Sequence, residues 1–299
     1  MSLLVLGTAA LDTVKTPYGA RREMLGGSAV HFSMSASFFT RIDLVAIVGR
    51  DFPKKYIEFL SGKNVILTSF VIEPGRTFRW KGEYTGDLNS ALTLGTELGV
   101  LSIFKPKVAE HQRAIKNIFL ANVDPDLQLA LLSKMRDPRL VGLDSMNYWI
   151  DHKKSSLLKL MKRVDIYVAN DAEARSLSGE THLLKAAKRL RRMGPPIIII
   201  KKGEHGVLVY SDDFIFSLPA YPVEKVVDPT GAGDTFAGGF MGYLTRVKKI
   251  TGLALKKAVT YGIVMASFNV EGFGVERSSK VTLKAIEARR KLFRQIVCF

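Results

Sequence analysis

Asp228-Pro-Thr-Gly-Ala-Gly-Asp-Thr-Phe-Ala-Gly-Gly-Phe240 is the stretch on which the reading of this chain turns. Pro229, Gly231 and Gly233 make a turn, and a helix is expected to start near Asp234. Glycine lets the backbone take positive φ and approach a ligand closely. At a helix start the unpaired N–H groups point outward with the positive end of the helix dipole behind them, which suits phosphate. Gly238-Gly239 allows close helix packing at some cost in helix propensity. Asp234 has two readings. Asp is a favoured N-cap, and capping alone accounts for it. A carboxylate beside a phosphate cradle is also a phosphoryl-transfer arrangement: it accepts the proton of an attacking hydroxyl while the amides stabilise the transferred charge. The second reading is favoured.

To either side of this segment, short apolar, β-branched runs alternate with longer amphipathic ones. Strands are expected at Leu3–Gly7, Leu44–Val48, Asn117–Ala121, Leu140–Leu143, Asp165–Ala169 and Ile197–Lys201. Helices are expected between them, over Gly27–Phe39, Pro53–Leu60, Pro125–Met135, Ser155–Lys162, Asp171–Leu177 and Leu183–Met193. This alternation predicts an α/β fold whose mostly parallel sheet is covered on both faces. Asp234–Arg246, Gly252–Asn269 and Leu283–Val297 read as further helices. Val65–Tyr84 breaks the rhythm with two or three extended segments, turns at Pro74-Gly75 and Gly86-Asp87, and no helix before about Lys107. It reads as a small β-rich lid, inserted at roughly residues 65–95 of a single domain over residues 1–299.

Composition narrows the function classes. The chain has 299 residues, 47% apolar and 24% charged, enough for a sizeable core and ordinary for a folded protein. The single cysteine, Cys298, cannot form an internal disulfide, which suits a cytoplasmic location. The five histidines are scattered, so no transition-metal site is expected. The N-terminal apolar run lacks a basic lead and meets Asp12 quickly, reading as a buried strand rather than a signal peptide. No apolar run approaches the ~18 residues of a membrane helix, so no membrane partner is expected. Lys plus Arg number 44 against 28 Asp plus Glu, an excess of 16 that is spread along the chain. Its densest cluster, Lys185, Lys188, Arg189, Arg191 and Arg192, recurs at helical spacing and reads as the wet face of a helix, not a nucleic-acid site. The chain has no Gly-x-x-x-x-Gly-Lys-Ser/Thr P-loop, and no Gly-x-Gly-x-x-Gly follows the first strand, which disfavours a dinucleotide-dependent dehydrogenase.

The segment Asp228–Phe240 resembles the C-terminal signature of the ribokinase-like (PfkB) carbohydrate kinases. That resemblance implies a three-layer α/β/α fold with a small β-rich lid and an ATP-dependent kinase. It makes Gly231, Ala232 and Gly233 the anion hole, Asp234 the catalytic base, and Asp228 and Thr230 binders of a monovalent cation, K⁺. Other segments agree in order and spacing. Gly26-Gly27-Ser-Ala-Val-His31 resembles the family's di-glycine motif at the acceptor, and Asp12 the aspartate that binds acceptor hydroxyls. Val48-Gly49-Arg-Asp51 resembles the short motif after the next strand. Asn170-Asp-Ala-Glu173 resembles the Asn-x-x-Glu motif tied to phosphate and, through water, Mg²⁺. Lys202-Gly203-Glu-His-Gly206 resembles the strand-loop beside the nucleotide, and Asn269 falls where the family builds its adenine pocket. Singly these are weaker; a Gly-Gly is usually a turn, and Asn-x-x-Glu often a capping pair. The likeness departs at His31, where many members have Asn, and at Phe52-Pro53, where a Gly is common. Both departures are on the acceptor side.

The implied acceptor is a small sugar or sugar-like molecule. A nucleoside is the alternative, since Phe78, Trp80 and Tyr84 can stack on a base or instead pack the lid onto the body. A non-catalytic sugar-binding regulator on the same fold is a different class, disfavoured by Asp234 and its glycines. The lid's exposed edge suggests a homodimer that pairs two lids.

Overall fold

The computed structural model describes residues 1–86 and 88–298; Asp87, half of the turn expected at Gly86-Asp87, lies outside them. The first part of the chain runs β1 (Ser2–Leu6), β2 (Ala10–Thr16), β3 (Gly19–Gly26), α1 (Ser28–Ala36), β4 (Arg41–Gly49) and α2 (Lys54–Ser61). Strands β5 (Val65–Glu73), β6 (Arg79–Tyr84), β7 (Ala91–Glu97) and β8 (Asn117–Leu120) follow. The middle alternates α3 (Pro125–Leu132), β9 (Leu140–Asp144), α4 (Asn147–His152), α5 (Lys154–Met161), β10 (Ile166–Asn170), α6 (Asp171–Ser178), α7 (Leu183–Arg192) and β11 (Ile197–Lys201). A hairpin of β12 (Val207–Tyr210) and β13 (Ile215–Leu218) precedes α8 (Ala232–Thr245), α9 (Gly252–Asn269) and α10 (Leu283–Val297).

The central sheet has the order β13-β12-β11-β10-β9-β8-β1-β4-β5. From β11 to β5 every pairing is parallel; β12 and β13 are antiparallel. Leu3 to Leu6 and Ile198 to Ile200 are fully buried because helices cover both faces, which is why these strands read as continuous apolar runs. One buried cluster holds Phe32, Phe119, Phe240, Met265 and Phe293 under α1, α8, α9 and α10. The other holds Leu131, Leu157, Tyr167, Leu177 and Leu190 under α3, α5, α6 and α7. Sheet and two helical layers make the expected three-layer fold. Lys185, Lys188, Arg189 and Arg192 lie exposed on α7. Among the described residues no helix is long and apolar enough to cross a membrane.

The lid differs from its expected boundaries. Val65–Glu73 is an edge strand of the central sheet, paired in parallel with β4 from Ile42↔Val65 to Gly49↔Glu73. The small sheet has the order β3-β2-β6-β7, so its strands come from residues 10–26 and 79–97. Its middle pair, β2 and β6, is parallel and its outer pairs antiparallel. A short β-rich insertion read from one segment is therefore half of a sheet completed by the strands flanking Tyr18-Gly19. Two 3-10 turns, Gly99–Ile103 and Glu110–Ala114, connect it back to the central sheet.

Sheet order places β4 and β8 on opposite sides of β1, so the chain winds both ways from that strand. In open α/β sheets, ligands bind outside the carboxyl ends of the strands at such a reversal. Those ends carry Asp144 on β9, Asn170 on β10 and Lys201 on β11, and the amino ends of α1 and α8 approach the same edge.

Candidate active site

α8 starts at Ala232, two residues before the expected position. Gly231 is its cap residue, in the left-handed region at φ +72°, and no side chain caps the helix. Asp234 thus lies inside the first turn, and the capping reading falls away. Ala232 N–H is engaged with Pro229 O at 3.1 Å. The amides of Gly231 and Gly233 have no protein acceptor among the described residues, so they are the ones positioned for an anion. The amide of Ala232, expected as a third member of the hole, is engaged in this turn.

Lys201 supplies a cation at this point. A Cβ added to Gly233 would lie 2.8 Å from Lys201 Nζ, so the ammonium sits directly against the loop. Nζ pairs with Asp144 Oδ2 at 3.0 Å, with Asp144 only 6% exposed. Burial alone would lower the Lys201 pKa; the carboxylates of Asp144, Glu173 and Asp234 reverse this and push it up.

The same carboxylates act on one another. Asp234 is pushed up to about 8, first by burial and then by Asp144, with Lys201 opposing and Glu173 and Asp12 adding. Glu173 is raised to about 7 by burial and by Asp144, against Lys201. Asp12 is raised to about 7, chiefly by burial, eased by a Gly27 amide and increased by Asp228. Asp234 thus meets Asp144, Glu173 and Asp12 against the ammonium of Lys201.

Asn170 and Glu173 form a reciprocal cap at the start of α6. Asn170 Oδ1 accepts from Glu173 N, and Glu173 Oε2 accepts from Asn170 N, both at 2.7 Å. This fixes Glu173, 7% exposed, at the carboxyl edge of β10 beside Asp144. The fit to a cation rests on charge. Asp144, Glu173 and Asp234 leave a negative excess over Lys201, yet among the described residues no three His, Cys, Asp or Glu groups could hold a metal ion. Mg²⁺ keeps waters and takes ligands from phosphates, so Glu173 and Asn170 would hold it through water.

On the side that the resemblance implies for the acceptor, Asp12 lies on β2 of the small sheet and is 4% exposed. Its Oδ2 accepts from Gly27 N at 3.2 Å, the residue that opens α1. A Cβ on Gly26 would fall 1.9 Å from that oxygen, so a side chain there would push the Asp12 carboxylate out of place. Ser28 Oγ donates to Asn122 O at 2.9 Å, and Asn122 in turn accepts from Trp149 Nε1 at 2.8 Å. Tyr84, 9% exposed at the end of β6, reaches Thr230 Oγ1 at 3.3 Å and ties the small sheet to the glycine loop.

His31 and Asn269 face inward. His31 is 2% exposed, and its Nδ1 meets Asn269 Oδ1 at 3.3 Å. Asn269 is fully buried, with Nδ2 on Thr230 O at 2.8 Å and Oδ1 accepting from Thr235 Oγ1 at 3.1 Å. Asp228, also fully buried, accepts from Thr230 N and Gly274 N at 2.9 Å each. Lys202, Gly203 and Gly206 form a tight turn after β11, closed by Lys202 N–H to Gly206 O at 2.8 Å, at the rim. Sequence reading missed Lys201, Asp144 and the Tyr84–Thr230 tie. The signal for the first two was present: each is a charged residue ending an otherwise apolar strand, at the edge where active sites gather.

Comparison with known proteins identifies the family and the fold. A cytidine kinase of Thermococcus kodakarensis is 32% identical over 272 residues, covering 89% of this chain and 95% of that protein. The nucleoside kinase structure from Methanocaldococcus jannaschii superimposes with a TM-score of 0.77 at 22% identity, over 97% of this chain and 98% of that one. An E. coli structure of the same fold, holding ATP and Mg²⁺, gives 0.81 at 17% identity over 97% and 99%. The model of the pfkB family carbohydrate kinases matches residues 34–282, a span that contains Asp144, Glu173, Lys201 and Asp234. With fold and full-length relatives in agreement, this ATP-dependent kinase belongs to the pfkB carbohydrate kinase family.

Proposed function

We propose that the chain phosphorylates a hydroxyl of a nucleoside's ribose, with cytidine the first acceptor to test. The observation that carries this reading is the likeness to a cytidine kinase over 89% of this chain and 95% of that protein. Asp12, held by Gly27, takes acceptor hydroxyls. Asp234 takes the proton of the attacking hydroxyl as it bonds to the γ-phosphorus. The amides of Gly231 and Gly233, with Lys201, carry the charge of the transferred group while ADP departs. Asn122 accepts from Ser28 and bonds Trp149 and Met146 through its side chain, and this group provides polar and apolar surface for a base. ATP consumption measured across cytidine, uridine, adenosine, inosine, ribose, hexoses and sugar phosphates tests it. A free sugar exceeding every nucleoside in kcat/KM would overturn the nucleoside assignment and return the acceptor to the sugar class.

Two cations serve this site in the same proposal. Mg²⁺ supplies charge neutralisation at the phosphates, with Glu173 and Asn170 holding it through water. K⁺ suits Asp228, whose carboxylate is fully buried with no Lys or Arg paired to it among the described residues. Glu173→Gln is expected to raise the Mg²⁺ concentration needed for half-maximal rate and to lower kcat, with the fold intact. Titrating Mg²⁺ against rate checks this; an unchanged midpoint leaves Glu173 only its capping role. The exposed strand β7 supports pairing of two small sheets in a homodimer. A strictly monomeric mass by light scattering would remove that assembly.

A further inference from the structure

We propose that His31 is a positioning residue for phosphoryl transfer, a buried plate and tether that holds Gly231 in the conformation that forms the anion site. The inference goes beyond acceptor identity and applies whichever hydroxyl is phosphorylated. It also differs from the acceptor contact implied for His31 by sequence resemblance.

The geometry is specific. Gly231 stands at φ +72°, and a Cβ there would lie 2.3 Å from His31 Cγ and 2.4 Å from Cδ2 and Nδ1. The imidazole therefore packs flat on the position a side chain would occupy. The hydrogen bonds then close a ring around the loop. Thr230 O can only accept, so the group of Asn269 facing it is Nδ2, and Oδ1 faces His31 and Thr235. Oδ1 accepts from the Thr235 hydroxyl and from His31 Nδ1–H. Thr235 N–H donates to Gly231 O at 2.8 Å, completing the circuit.

This assignment puts the imidazole proton on Nδ1 and leaves Nε2, buried and without a partner among the described residues, in the deprotonated form. Burial lowers the His31 pKa from its ordinary 6.5, against the attraction of Asp228, so the neutral ring is the stable one. His31 belongs to α1, whose N-cap residue Gly27 donates its N–H to Asp12. The carbonyl of Phe32, next in sequence, lies 2.3 Å from where a Cβ on Gly238 of α8 would stand. α1 and α8 thus meet backbone to side-chain-free backbone, and His31 is the polar link at the active-site end of that contact. It joins the helix whose N-cap amide holds Asp12 to the helix carrying Asp234.

Three variants separate plate from tether. His31→Asn keeps a donor toward Asn269 and loses the ring; His31→Phe keeps the ring and loses the donor; His31→Ala loses both. A misplacement of about 1 Å at a reacting centre costs ~10²-fold, so His31→Ala is expected to lower kcat by ~10–100-fold. KM for ATP and for the best acceptor should stay within about threefold, since a 1.4 kcal/mol change would be needed for tenfold. Asn and Phe should each recover part of the loss. A second readout uses ADP, Mg²⁺ and aluminium fluoride, which mimics the transferred group. Its gain in affinity over ADP alone should shrink in His31→Ala, while ADP binding itself is unchanged. A merely structural role would move melting temperature and ADP binding together and leave that gain intact. Wild-type kcat in His31→Ala, or a loss confined to acceptor KM, overturns the proposal. If the Ala variant does not fold, the Asn and Phe variants, which fill most of the site, decide it by the same two measurements.

Discussion

Asp234→Asn is expected to lower kcat by ~10²–10⁴-fold, the usual worth of a general base, with ATP affinity close to that of the unaltered enzyme. Asn has the shape of Asp and cannot take a proton from the acceptor. The loop that would bind phosphate is closed by Ala232, Asn269 and Asp228, none of which bonds to the Asp234 side chain. Since that side chain caps nothing, the substitution removes no helix-stabilising bond. Stability should move the other way from activity. The Asp234 pKa is about 8 in the folded chain against 3.8 for the ordinary group. Between those values the folded state keeps a proton that the unfolded state has lost. Stability then falls as pH rises from about 4 to about 8, by the linkage of bound protons to unfolding free energy. Asn escapes this loss. The ligand-free Asp234→Asn protein should therefore melt higher than the parent at pH 8, with the gap closing toward pH 4. Thermal melts across that range, paired with steady-state rates, check both halves. Near-normal turnover, or a gap that widens toward acid, would mean that Asp234 is not a strained base. The same pKa predicts that kcat/KM of the parent rises with pH toward about 8, since the base must be ionised to act.

The parts of this molecule that sequence exposes are those whose burial is uniform. Ile197–Lys201 and Asn117–Leu120 are covered on both faces, so their apolar runs announce a parallel sheet. The Asp228–Phe240 segment is legible because its glycines answer to geometry: a left-handed turn at Gly231 and close contacts at Gly233 and Gly238. Val65–Glu73 misled because an edge strand is half covered, giving the mixed pattern that a lid strand also gives. Gly19–Gly26 was silent for a related reason: its first five residues are exposed, and no alternation marks it as a strand. His31 and Asn269 show a different limit. A motif places a residue near a site, but spacing does not say whether the side chain points at the ligand or beneath the loop. Lys201 and Lys202 make the same point where a strand ends in a turn. The loop motif draws attention to Lys202, while Lys201 Nζ stands against the glycines.

Lys201→Met should cost ~10²–10³ in kcat, in the range for losing one preorganised group that stabilises transition-state charge. Two effects combine. The ammonium beside Gly233 disappears, so charge on the transferred group is met by amides alone. Lys201 also holds the Asp234 pKa down against burial and three carboxylates; without it that pKa climbs, and less base is ionised at neutral pH. The second part is recoverable by raising pH and the first is not, so the variant's rate should rise more steeply with pH than the parent's and still level off far below it. Lys201→Arg is expected to rescue poorly, because a planar guanidinium does not fit where an ammonium sits 2.8 Å from the Gly233 Cβ position. Stability provides the control. Removing one partner of a buried pair costs ~3–5 kcal/mol because the remaining charge is stranded, here Asp144 at 6% exposure. Asp144→Asn combined with Lys201→Met removes the stranded charge and should regain most of the melting temperature. It should not regain kcat, since no cation faces the loop. If the double variant turned over like the parent, Lys201 would be only the counter-charge of Asp144, and the transferred phosphoryl group would be stabilised by the Gly231 and Gly233 amides without it.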